Sequence, residues 1–113
     1  MTIQNWSENI IVAELQDDPV LTDDLASLVE QLTANSELDV VLDFSAISYV
    51  NSSNIAKLLK LRKIAMVNNH RKIKLCAISS HVWGVFLITG LDKLFDFEDS
   101  VSVGLAAIQI DNK

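Results

Sequence analysis

Apolar residues along the chain alternate between two rhythms. Residues 9–15 (Asn-Ile-Ile-Val-Ala-Glu-Leu) are rich in β-branched side chains and read as a strand, with residues 3–6 placed to pair along it as a short edge strand. Gln16-Asp17-Asp18-Pro19 is a polar loop with a proline brake. Thr22 or Asp23 then starts a helix, in which Leu25, Leu28, Val29 and Leu32 recur at helical spacing; it ends near Asn35-Ser36. Residues 38–44 (Leu-Asp-Val-Val-Leu-Asp-Phe) form the strongest strand signal. Their near-continuous apolar character predicts burial on both faces.

After residues 45–50 cross over, Asn51-Ser52-Ser53-Asn54 opens a long helix reaching about Asn69. Ile55, Leu58, Leu59 and Val67 are its expected core positions, with Lys57, Lys60 and Lys63 turned outward. The turn 68–72 leads to a strand at 73–78. Ser79-Ser80 caps a helix over 81–90, which Gly90 terminates. Leu94 to Phe97 read as a short strand. Asp99-Ser100 caps a last helix over 101–110, which Gly104 weakens by about 1 kcal/mol relative to Ala. The order β-β-α-β-α-β-α-β-α predicts an α/β fold: a small sheet of four to five strands with four helices packed on it.

Size and composition agree with this pattern. The 113 residues suit a single domain, and 50% hydrophobic residues suit a folded core. Cys76 is the only cysteine, so no internal disulfide and no Cys/His metal spacing exists; in its strand-like run it reads as a small buried hydrophobe. The N-terminal residues lack the basic start and apolar stretch of a signal peptide, and no apolar run reaches the length of a membrane span. With a disulfide-free chain, the expectation is a cytoplasmic protein.

The net charge of −6 argues against a nucleic-acid partner, whose binding rests on neutralised phosphates. The charge is unevenly placed. No Asp or Glu occurs from Phe44 to Leu91, and that stretch holds Lys57, Lys60, Arg62, Lys63, Arg71, Lys72 and Lys74, seven of the nine basic residues. Two readings stand side by side: a solvated helix face with its following turn, or a patch that steers an acidic partner.

Catalytic chemistry is hard to find. The only histidines, His70 and His81, fall in a basic turn and at a helix start. There is no nucleophile elbow and no phosphate-cradling loop among three glycines. Asp17, Asp18, Asp23 and Asp24 lack calcium-loop spacing and read as a solvated loop and helix-dipole acids. No metal or cofactor is expected. Asn51-Ser52-Ser53-Asn54 stands out instead. Capping explains it, yet a helix N-terminus also tolerates added negative charge, so a serine modified there would change recognition without unfolding the domain.

Three segments carry a family resemblance. They are Val40-Val41-Leu42-Asp43-Phe44-Ser45 with Tyr49-Val50-Asn51-Ser52-Ser53-Asn54; Ile73 to Ser79; and Phe86 through Gly90-Leu91 with Leu94-Phe95-Asp96. Together, over residues 38–110, the sequence resembles the STAS family, the anti-sigma-factor antagonists and related domains. The resemblance implies a mixed, mostly parallel sheet and a mechanism of partner switching. In that mechanism the antagonist binds an anti-sigma factor that is also a serine kinase, is phosphorylated and released, and is reset by a phosphatase. By motif position Ser53 matches the phospho-acceptor, with Ser52 the runner-up.

Two positions depart from the family pattern. Asn51 replaces its aspartate and Asn54 its glycine, and the first loop has Leu15-Gln16-Asp17-Asp18 in place of a G-x-L-D turn. The replaced aspartate removes a negative charge beside the acceptor. The replaced glycine sets a side chain where a partner backbone would approach.

The expected partner surface comprises Asn51, Ser52, Asn54, Lys57 and Lys60. A second surface is expected on helix 81–90. Val82, Val85, Phe86 and Thr89 form its core stripe, and Trp83 and Leu87 lie off it, either as a wider core contact beneath the last helix or, the preferred reading, as an exposed apolar pair for a partner or a second copy of the chain. The alternative function is a non-phosphorylated STAS subunit of a larger assembly, such as a lipid-transporting ABC system, in which the Asn-Ser-Ser-Asn segment caps the helix and helps dock a partner. A small-ligand sensor finds no support in the motifs, and an enzyme finds least.

Overall fold

The computed structural model describes residues 1–111. The apolar run at 38–44 becomes β3 (Asp39–Asp43), the middle strand of a five-stranded sheet ordered β1-β2-β3-β4-β5. β1 (Thr2–Ser7) and β2 (Ile10–Glu14) form an antiparallel hairpin. β2, β3, β4 (Ile73–Cys76) and β5 (Asp96–Glu98) run parallel. The helices are α1 (Val20–Ala34), α2 (Ser52–Arg62), α3 (Ser80–Thr89) and α4 (Val101–Asp111). The fold is therefore α/β, as the element order predicts, with the mixed, mostly parallel sheet that the family resemblance implies.

Both faces of the sheet are covered, which explains why β3 is apolar without alternation. Val40 and Leu42 pack into the larger core with Leu21, Leu25, Leu28, Leu32, Leu58, Leu61, Val82 and Phe86 from α1, α2 and α3. Val41 faces the other way, with Ile10, Val12 and Cys76, against Ile108 of α4. One helix therefore covers a face that three cover on the other side. Gly104 makes this close: a Cβ there would stand 2.6 Å from Cys76 Sγ. The glycine expected only to weaken α4 is what lets the helix approach the sheet.

Several boundaries differ from the sequence reading for local reasons. α1 begins at Val20, ahead of Thr22, because the Asp18 carboxylate accepts hydrogen bonds from Thr22 N (2.8 Å) and Thr22 Oγ1 (2.7 Å) across its first turn. α2 does not run on to Asn69 as an α-helix: residues Lys63–Asn68 widen into a π-turn, closed by Asn69 N donating to Ile64 O at 2.9 Å. Counted at about 100° per residue from Leu58, Leu61 and Ala65 fall on the same face of the helix and Val67 on the opposite one. Val67, an expected core residue, is 54% exposed, while Leu61 and Ala65 are buried. A 3₁₀ turn at Leu91–Lys93 delays β5 to Asp96, so Leu94 lies outside the strand and is exposed. Gly90 caps α3 at φ 75°, the left-handed conformation glycine adopts without strain.

Candidate functional site

Because β2 to β5 are parallel, the loops leading into all four helices gather at one edge of the sheet. Such carboxyl-end edges are where open α/β sheets present their binding groups. The N-terminus of α2 lies here, and its first residues explain each other.

Asn51 is the N-cap. Its Oδ1 accepts from Asn54 N (2.8 Å), and Asn54 Oδ1 accepts from Asn51 N (3.0 Å), a reciprocal capping box built from two asparagines. The remaining amide groups reach across to the first loop. Asn51 Nδ2 donates to Asp18 Oδ2 at 3.0 Å, and Asn54 Nδ2 donates to the same oxygen at 3.1 Å and to Thr22 Oγ1 at 3.3 Å. Asp17 holds the next segment: its carboxylate accepts from Ser48 N (2.9 Å) and Ser48 Oγ (2.5 Å).

These bonds hold both carboxyls below the usual aspartate value. The Ser48 hydroxyl and then its amide do this for Asp17; the Thr22 hydroxyl and amide, then Asn54 and Asn51, do it for Asp18. Asp17 and Asp18, which read as solvated loop charges, are thus the fasteners of the edge. Among the described residues no group of three or more His, Cys, Asp or Glu is placed to hold a metal ion.

Ser52 and Ser53 occupy the first two helical positions and are exposed. Neither hydroxyl makes a hydrogen bond among the described residues. Their backbone N–H groups are the orphan donors of the first turn, since the Asn54 and Ile55 amides are bonded to Asn51. Ser53, Lys57 and Lys60 fall at i, i+4 and i+7, so they share one face of α2. Lys57 and Lys60 line a shallow groove against Ala26, Val29 and Glu30 of α1.

Other expected site residues move. Asn54 is fully buried, with its amide spent on the box and on the first loop, so it is a fastener and cannot touch a partner. Asn51 itself is uncharged, and Asp18 brings a carboxylate to its amide from another loop. Trp83 is half-buried, edge-on to Phe97 with ring centroids 4.9 Å apart, whereas Leu87 is 51% exposed. They do not form one exposed pair. In the expected core stripe of α3, Val82 and Phe86 are buried but Thr89 is exposed, its hydroxyl donating back to Val85 O at 2.8 Å.

The basic stretch also thins out. Arg71 pairs with the buried Asp39 at 2.7 Å, Lys74 is buried beside Asp96 at 3.4 Å, and Arg62 Nε donates to Leu94 O at 2.7 Å. What is left facing solvent along the helix is chiefly Lys60 and Lys63, with Lys57 half-buried.

A family model described as the STAS domain matches residues 7–103. The chain belongs to the STAS domain family. Solved structures agree in fold. A candidate anti-sigma factor antagonist from Thermotoga maritima superposes with a TM-score of 0.81 at 12% identity, over 96% of this chain and 93% of that one. An anti-sigma-factor antagonist (STAS) domain protein from Planctomyces limnophilus gives 0.78 at 14%, over 96% and 97%. A serine-to-glutamate variant of RsbS from Moorella thermoacetica gives 0.76 at 17%, over 98% of both chains. At these identities the likeness to each structure is one of fold. No helix among the described residues of this STAS domain is long and apolar enough to cross a membrane.

Proposed function

We propose that residues 1–113 form a single STAS domain that acts as a non-enzymatic protein-binding switch in the cytoplasm. It binds an anti-sigma factor that is also a serine kinase, through Asn51, Ser52, Ser53 and the Lys57–Lys60 face. Phosphorylation of Ser53 releases it, and a phosphatase resets it. One observation carries the reading: Ser53 presents an exposed, unbonded hydroxyl at the start of a helix whose cap is made entirely by other residues. A phosphate there would add about −1.5 to −2 charges beside two orphan N–H groups and, one turn on, Lys57, so it changes the surface while suiting the helix. The antagonist descriptions of the Thermotoga and Planctomyces structures support the same role.

The test is the intact mass of the protein from its native host, with and without phosphatase, followed by peptide mapping. One phosphatase-sensitive phosphate on Ser53 is the expected result, and Ser53→Ala should then capture a kinase-type partner that Ser53→Asp does not. A second reading is favoured by the double-asparagine box, which serves as a complete cap with no role for modification. Under it the chain is a constitutive subunit, for instance of a lipid-transporting ABC assembly. Absence of phosphate in every growth condition, with the same partner captured by both variants, would establish that reading instead.

A further inference from the structure

At the far end of the same sheet edge lies a cleft of about 290 Å³ lined by Ile78, Trp83, Phe97, Glu98 and Asp99. Its wall is aromatic and fixed: Trp83 meets Phe97 at 83°, and Phe97 is in turn held against Phe86 at 5.4 Å. Its rim is acidic. Neither the Glu98 nor the Asp99 carboxylate has a hydrogen bond or ion pair among the described residues. Ala77, at φ 59°, turns the chain out of β4 beside the cleft and is tied down by its N–H donating to Glu98 O at 3.2 Å. The walls therefore need no rearrangement to receive a group, which lowers the ordering cost of binding.

We propose that this cleft receives an arginine side chain from a protein partner, with the guanidinium against Trp83 and between the Glu98 and Asp99 carboxylates. The complementarity selects the occupant. An aromatic wall with two carboxylates that make no internal hydrogen bond among the described residues matches a cation that can both stack and donate in a plane. Lysine offers a strongly hydrated point charge, which such a wall dehydrates at greater cost. The volume is just below the roughly 300–1,000 Å³ of small-molecule pockets, so it suits one side chain better than a cofactor. Trp and Arg are also the residues that most often anchor protein interfaces. The site is separate from Ser53 and does not depend on its modification.

The experiment is a titration of the ¹⁵N-labelled full chain with a blocked pentapeptide carrying one central arginine among glycine and serine, followed by NMR. The Trp83 indole N–H and the Glu98 and Asp99 amides should shift saturably. The citrulline counterpart, which keeps shape and loses charge, should bind at least fivefold more weakly. Glu98→Gln with Asp99→Asn should weaken the arginine peptide at least fivefold. Asp23→Asn with Glu30→Gln, which removes as much charge from α1, should change it less than twofold, and Ser53→Ala should not change it.

Unmoved Trp83 and Asp99 resonances would overturn the proposal, as would equal weakening by the two acid-removing pairs, which would mean diffuse attraction to an acidic protein. Free arginine binding as tightly as the peptide would overturn the assignment to a protein partner. Because the two rim carboxylates support no internal hydrogen bond, the substituted chain should keep its wild-type spectrum outside the cleft.

Discussion

Asn51 and Asp18 are a matched pair. An aspartate at 51 would still cap α2, but it could not donate to Asp18 Oδ2, and it would set a second carboxylate against the first. Asn51→Asp is therefore expected to lower the urea midpoint, and adding Asp18→Asn should recover most of that loss. The same loss in both backgrounds would show that the two residues are not coupled.

The two loop acids also set an acid limit. Their folded pKa values lie below the ordinary 3.8, so the folded state binds fewer protons than the unfolded chain there. The stabilisation is complete above that value and is lost as pH falls through the depressed folded values. Hydrogen exchange should show the Ser48 and Thr22 amides losing protection below about pH 4, while the Val40 amide, bonded to Lys72 O at 2.9 Å, stays protected. Loss of protection near pH 6 would point to some other group.

Among the elements, the α2 segment carries both the candidate site and the largest departure from regular geometry. Up to Arg62 it is an ordinary α-helix whose Leu58 and Leu61 face the core; in the π-turn beyond it Ala65 is buried and Val67 is exposed. Both follow the helical period from Leu58: Ala65 is at i+7, on the same face, and Val67 at i+9, on the opposite one. Leu61→Ala should cost about 2–5 kcal/mol, the usual range for a fully buried leucine, and Val67→Ser should change stability by less than about 0.5 kcal/mol, as surface substitutions do. Chemical denaturation of both variants decides it; equal losses would mean that Val67 packs in the core as Leu61 does. Asn69 adds a long-range tie, its Nδ2 donating to Leu32 O at 3.1 Å and so closing the end of α1.

Across the whole molecule, the sheet divides the protein into a thick side and a thin one. The thin side depends on α4 lying very close, with Gly104 over Cys76. Burial, then the Glu98 and Asp43 carboxylates, push the Cys76 thiol up to about 12, so it stays a neutral packing group at physiological pH. Gly104→Ala is expected to cost about 1–3 kcal/mol by overpacking, and Cys76→Ala introduced with it should relieve part of that by clearing the sulfur. If thermal melts show the two losses simply adding, the close approach is not what fixes glycine here. The same architecture redistributes charge: arginines and lysines adjacent in sequence part company, some inward to Asp39 and Asp96 and others outward along α2.

The sequence alone determined the order of elements, the burial of the middle strand on both faces, a helix cap within Asn51-Ser52-Ser53-Asn54, and the caps at Ser79 and Gly90. Each of these follows from side-chain period and cap chemistry within a few residues. Tertiary structure alone decided that Asp18 lies against asparagines 33 and 36 positions away, that Asn54 is inside and so unavailable to a partner, that Gly104 meets Cys76, and that Trp83 turns to Phe97 and two carboxylates. A periodic pattern reports which face of an element is apolar. It does not report which distant residue packs on that face, because that is set by how the elements cross.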